Sequence, residues 1–172
     1  MNEASIVLIL HLTARTTFVF FFCAFTGNAL RDLWPGKVSQ WLARKHDPFL
    51  VAQAASHTVH LGAIIAYFQL LGWSRLKVPT SLGGGFVYLL IYALAAAALV
   101  RLFGGRQASF FGSIRFEGFA LYTIWSVFAL AFVPRIVSGW PVYSFFGLVA
   151  IVALTIRIVC KLRHSRAMAA AA

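Results

Sequence analysis

The sequence predicts an all-α integral membrane protein, a bundle of about five transmembrane helices with its N-terminus outside and its C-terminus in the cytoplasm. Three observations lead there. Hydrophobic residues make up 61% of the chain and charged residues only 11%, whereas an average soluble domain is about 25% charged. Five apolar runs are each long enough to cross a hydrocarbon core of about 30 Å, which takes about 20 helical residues. The positive charges gather between alternate runs.

The runs cover residues 5–26, 49–73, 82–104, 116–134 and 141–161 of the 172. They read as helices because strict alternation is absent, and a membrane barrel needs alternating strands of about ten residues. This length leaves room for one helical domain and none for a separate catalytic one. Glu3 precedes the first run, His11 and Arg15 interrupt it, and no small-x-small cleavage site follows, so residues 5–26 are expected to remain as a span and not as a cleaved signal peptide.

Orientation follows from the basic residues. Arg31, Lys37, Arg44 and Lys45 lie in the first connection, Arg101, Arg106 and Arg115 around the third, and Arg157, Lys161, Arg163 and Arg166 at the tail, against Arg75, Lys77 and Arg135 on the other side. The positive-inside rule then places the C-terminus in the cytoplasm and the protein as a multi-pass component of the cell inner (plasma) membrane. The excess of 15 Lys and Arg over four acidic residues is thereby a topological signal, and no nucleic-acid partner is expected.

Within the first connection, Lys37 to Lys45 puts Val38, Trp41 and Leu42 on one helical face, which predicts a short amphipathic helix on the membrane surface. Asp47 and Pro48 read as an N-cap and first helical position of the second span. Pro134 and Ser138-Gly139-Trp140-Pro141 predict a tight hairpin between the last two spans. Gly83 to Gly85 and Ala95 to Ala98 suggest close helix packing on the third span. Trp73, Trp140 and Tyr143 would form an outer aromatic belt, and Trp34 and Trp41 an inner one. Cys23 and Cys160 read as small apolar fillers without a disulfide or metal role.

Ionisable groups inside a span are costly and mark candidate sites. The second span carries Gln53, Ser56, His57, His60 and Tyr67, and positions 53, 57, 60, 64 and 67 share one helical face, flanked by the small residues Ala54, Ala55, Gly62 and Ala63. The first span carries His11 and Arg15 one turn apart. Counted inward, His11 lies roughly 9 Å and His60 roughly 14 Å below the outer boundary. Two neutral imidazoles at similar depth suit the axial positions of a b-type haem, with His60 or His57 as iron ligand, His11 opposite it and Arg15 beside a porphyrin carboxylate. His57 and His60, only three residues apart, cannot be the opposed ligands of one iron. The plainer reading makes the same histidines interhelical hydrogen-bonding groups. Tyr122, Trp125 and Ser126 read as packing, and Glu117 as a first-turn charge at a helix N-terminus. No phosphate loop, nucleophile elbow, kinase signature or metalloprotease helix occurs.

Two stretches carry a family resemblance. Ala14-Arg15-Thr16-Thr17-Phe18 running into Ala29-Leu30-Arg31-Asp32-Leu33-Trp34-Pro35, and Ser56-His57-Thr58-Val59-His60-Leu61, resemble the ferric reductase-like transmembrane proteins over about residues 12–72. The resemblance implies a helical bundle that holds b-type haem and passes electrons within the membrane as part of a membrane oxidoreductase. Histidine is absent from the third, fourth and fifth spans, and His164 lies beyond the last. His46 stands fourteen residues before His60, but Asp47-Pro48 is expected to break the helix between them. One chain would therefore complete at most one bis-histidine haem, or supply one ligand and borrow the other from a partner subunit. No flavin or nicotinamide site accompanies the bundle, so the donor expected is a partner redox protein or a quinol. A haem-free scaffold or accessory subunit, and a small transporter using His57, His60 and Arg15, are the competing readings.

Overall fold

In the computed structural model, residues 2–75, 78–104, 113–137 and 141–171 are described. The expectations placed on Lys77, Arg106 and the Ser138, Gly139 and Trp140 turn lie outside the described residues, as do the side chains of Arg75 and Arg135. Among the described residues the chain is all helical: α1 Glu3–Leu33, α2 Lys37–Arg44, α3 His46–Leu71, α4 Val78–Leu102, α5 Ile114–Phe132 and α6 Pro141–Ala171. Short 3-10 turns follow α3 at Trp73–Arg75 and α5 at Val133–Ile136. Four of the helices, α1, α3, the Gly83–Leu102 part of α4, and α6, are long and apolar enough to cross a membrane.

Several helix ends differ from the apolar runs. α1 continues past residue 26 to Leu33, because the chain meets no stop signal before Trp34-Pro35-Gly36. Gly27 is tolerated inside it for a packing reason. A Cβ there would stand 3.1 Å from the backbone carbon and oxygen of Leu42, so α2 lies directly on this glycine. Ser39 starts α2, accepting the Gly36 N–H at 2.9 Å and reaching the Trp34 carbonyl at 2.7 Å. α3 begins at His46 and continues through Asp47 and Pro48. The expected break before Pro48 does not occur, since a proline in the first turn removes an N–H that has no intrahelical partner anyway. Gly72, at φ 95°, closes α3 with its N–H on the Phe68 carbonyl at 2.9 Å, and Gly104, at φ 82°, follows the end of α4.

The chain divides into two compact units. The first comprises residues 1–21 and 47–124. Phe18, Phe21, Leu50, Ile91, Leu94, Leu121 and Ile124 fill its interior, and Ala97 and Ala98 let the helices come close. Gly83, Gly84 and Gly85 do not share that role: a Cβ on any of them would meet no atom within 4 Å, which corrects the close packing expected there.

The second unit comprises residues 22–46 and 125–172. Within it Arg157 donates to the Phe25 carbonyl at 2.9 Å with its guanidinium 4.5 Å from the Phe25 ring centroid, and Ala29 and Leu33 cluster with Cys160 and Ile156. Residue numbers rise together on both helices, so the end of α1 and α6 run parallel. Arg157, one of the tail charges that set the orientation in the sequence, is tied to α1 through both its charge and its planar face. The end of α5 and α6 form an antiparallel hairpin, with Trp125 Nε1 donating to the Ala150 carbonyl at 3.0 Å and Phe132 stacked on Phe146 at 5.4 Å. Gly147 is essential to that hairpin, since a Cβ would lie 2.6 Å from Ile136 Cγ1 and 3.1 Å from the Phe132 carbonyl oxygen.

The glycines separate into two classes that substitution should resolve. Gly147→Ala is expected to lower stability by about 1–3 kcal/mol through overpacking. Gly83→Ala, placed in open space on a helix, is expected to be neutral or stabilising by about 0.5–1 kcal/mol. Thermal unfolding of the two purified variants in the same detergent checks both.

Candidate functional site

The polar face of α3 is built within the first unit, from α1, α3 and α4. Thr13 Oγ1 meets His60 Nδ1 at 2.8 Å and Thr17 Oγ1 meets Ser56 Oγ at 2.9 Å. Thr13 and Thr17 are one turn apart on α1, as are Ser56 and His60 on α3, so the two bonds lock an antiparallel pair of helices in one register. On the other side of α3, the His57 ring lies 4.1 Å from that of Tyr88 on α4, and Thr58 Oγ1 meets Tyr92 Oη at 2.9 Å. The His57 and His60 ring centroids are 5.6 Å apart.

Gln53 is 1% exposed and His57 8% exposed. Gln53 Nε2, His57 Nδ1 and the Tyr88 hydroxyl are buried atoms that meet no hydrogen-bond partner among the described residues. Gln53 and His57 are one turn apart on the same stripe, so the sequence periodicity correctly placed both in the interior. Tyr88 carries the same signature and was not singled out, because a tyrosine in an apolar run reads as packing until its neighbour is known.

The remaining predicted residues are distributed as follows. His11 is exposed on α1. It precedes Thr13 by two positions, which at 3.6 residues per turn puts it on nearly the opposite side of the helix from the residue that meets His60. Thr13, not His11, is the α1 group facing His60. Arg15 is half-buried on the His11 side of α1. His46 Nδ1 is 3.0 Å from the Ala24 carbonyl, and His164 Nδ1 is 2.9 Å from the Cys160 carbonyl. Among the described residues no group of three or more His, Cys, Asp or Glu side chains could hold a metal ion.

An ion cluster missed in the sequence closes one end of the same unit. Arg101 Nε lies 3.1 and 3.0 Å from the two Asp47 oxygens, its Nη2 2.6 Å from Oδ1, and Nη2 is also 3.4 Å from Glu117. One guanidinium on α4 thus joins the first turns of α3 and α5. Asp47 therefore serves as an ion-pair anchor in place of the N-cap role expected for it, and Glu117 adds a cross-helix contact to its first-turn position. No sequence signal short of a three-dimensional contact could have linked positions 47, 101 and 117.

Four helices long and apolar enough to cross a membrane make this a multi-pass membrane protein in contact with a lipid bilayer. No family model, no curated protein and no solved structure matches the chain.

The two histidines should answer substitution differently. His57→Leu removes a buried polar atom with no hydrogen-bond partner among the described residues, so the thermal midpoint is expected to stay level or rise. His60→Leu removes the interhelical bond to Thr13, whose hydroxyl keeps the Ile9 and Leu10 carbonyls, and is expected to lower stability by about 1 kcal/mol. Arg101→Gln is expected to cost more, about 2 kcal/mol, because two part-hydrated carboxylates lose their shared cation. Side-by-side unfolding of the three purified variants measures this order.

Proposed function

We propose that this chain is a small redox subunit of the inner membrane that works with a partner redox protein or a quinol, with the Gln53, His57 and His60 face of α3 as the seat of its cofactor. The observation that carries this reading is the burial of Gln53 and His57 in a membrane-length helix with polar atoms that meet no hydrogen-bond partner among the described residues. Such groups cost a few kcal/mol in apolar surroundings, which favours a bound ligand as their partner. In this reading α5 is a fifth span: its 19 residues reach roughly 28 Å at 1.5 Å per residue. Five crossings put the termini on opposite sides, with the basic connections in the cytoplasm.

The ferric reductase-like resemblance implies b-type haem. In this reading one histidine of this chain would hold the haem. His46 and His164 sit against carbonyl oxygens, His60 against Thr13, and His11 occupies the wrong side of α1 to join His60. His57 is then the residue that would hold the iron, with Gln53 and Tyr88 as hydrogen-bonding neighbours. Bound there, haem would supply one-electron transfer.

The Thr13–His60 and Thr17–Ser56 bonds favour a second reading, a haem-free scaffold or accessory subunit whose polar stripe holds helices together. The visible spectrum of the detergent-purified protein decides between them. A Soret band with sharp reduced α and β bands, lost in His57→Leu while the protein remains folded, is the expected result. Colourless protein from haem-replete cells would sink the haem reading and leave the scaffold.

A further inference from the structure

The second unit ends in a concentration of exposed positive charge next to exposed aromatic rings. Trp34 is 59% exposed, Val38 71% and Trp41 47%, and Val38 and Trp41 stand one turn apart on α2. Lys37, Arg44 and Lys45 flank these apolar groups and are exposed. α2 is held against α1 by the Gly27–Leu42 contact and the Ser39 bonds, so its position is fixed while Val38, Lys37, Arg44 and Lys45 stay exposed and Trp41 about half exposed.

A second basic segment leaves the unit at the same end. α6 runs parallel to α1 and reaches the level of Leu33 at Cys160. It then continues to Ala171, about three more turns at 3.6 residues per turn. Lys161, Arg163 and Arg166 lie on this extension and are exposed. The nearest carboxylate in the unit, Asp32, is engaged by Arg31 at 2.9 Å. Six exposed cations thus lie on two separate segments of this unit, one of them carrying the exposed Trp41 and following the exposed Trp34.

We propose that this end of the second unit is a binding surface for the headgroups of anionic phospholipids, with Lys37, Arg44 and Lys45 on one side and Lys161, Arg163 and Arg166 on the other supplying the charge. Trp34, Val38 and Trp41 set the depth: indole rings prefer the headgroup level, and an exposed apolar pair on a basic helix belongs at the boundary of the acyl chains. Clustered Lys and Arg at that level attract anionic lipid, and the attraction is screened by salt. The surface is independent of the α3 face and of any redox role. It distinguishes one lipid class from another, which contact with a bilayer alone does not.

The test uses the full chain in nanodiscs of phosphatidylcholine, with and without phosphatidylglycerol. The anionic discs are expected to raise the thermal unfolding midpoint, and salt is expected to remove the gain. In native mass spectrometry, phosphatidylglycerol adducts should outnumber phosphatidylcholine adducts several-fold. A variant carrying K37Q, R44Q, K45Q, R163Q and R166Q should keep its helical circular dichroism and lose both effects; K37R, R44K and K45R should keep them. Equal midpoints in the two lipids, or an unchanged preference in the glutamine variant, would overturn the proposal. A gain produced equally by inorganic phosphate in neutral discs would also overturn it, showing a free-phosphate site in place of a lipid one.

Discussion

Side-chain polarity inside an apolar helix must be met locally, and in this protein the Thr13–His60 and Thr17–Ser56 pairs meet it across α1 and α3. Water can stand in for a missing partner on a soluble protein but not within hydrocarbon. The two pairs therefore do more than add bond energy. They select the rotation of each helix about its axis and the register between them, which in turn decides what His57 can reach. With His60 turned to α1, His57 is turned to Tyr88 on α4, about 60° round the helix. A redox or ligand role for α3 must operate within that arrangement.

The Arg101 cluster works at the opposite extreme of polarity. Arg101, Asp47 and Glu117 are partly exposed, so the ions retain some hydration while the two-pronged geometry holds three helices to one point. Apolar packing supplies little orientation between lipid-facing helices, because lipid tails are as apolar as the side chains that would leave them. Directional contacts at the ends and along the seam supply it instead. In the second unit the same division holds: Arg157 on the Phe25 carbonyl and ring, Trp125 on the Ala150 carbonyl, and the glycines at 27 and 147 permitting close backbone approach.

Much of the architecture could be read from residues alone. The long apolar runs announced membrane-length helices, Lys37 to Lys45 announced α2, and the spacing of Gln53 and His57 announced a buried stripe. Two readings failed for a common reason. Asp47 reads in the sequence as a local helix end and Gly83 to Gly85 as helix packing. Each reading uses position along one helix, whereas Asp47 meets a cation fifty-four residues away and the glycines meet no atom within 4 Å among the described residues.

What the sequence determined is the solvent of this protein and the identity of its helices, because hydrophobic length and charge placement are properties of one segment at a time. Tertiary structure decided which polar groups meet. Rotation about a helix axis costs nothing in a uniform apolar medium and is set only when a hydroxyl, imidazole or guanidinium finds its partner on the next helix. That is why His57 and His60, indistinguishable as neighbours in sequence, end in different surroundings: His60 bonded to Thr13, and His57 buried against Tyr88 with a ring nitrogen that meets no hydrogen-bond partner among the described residues.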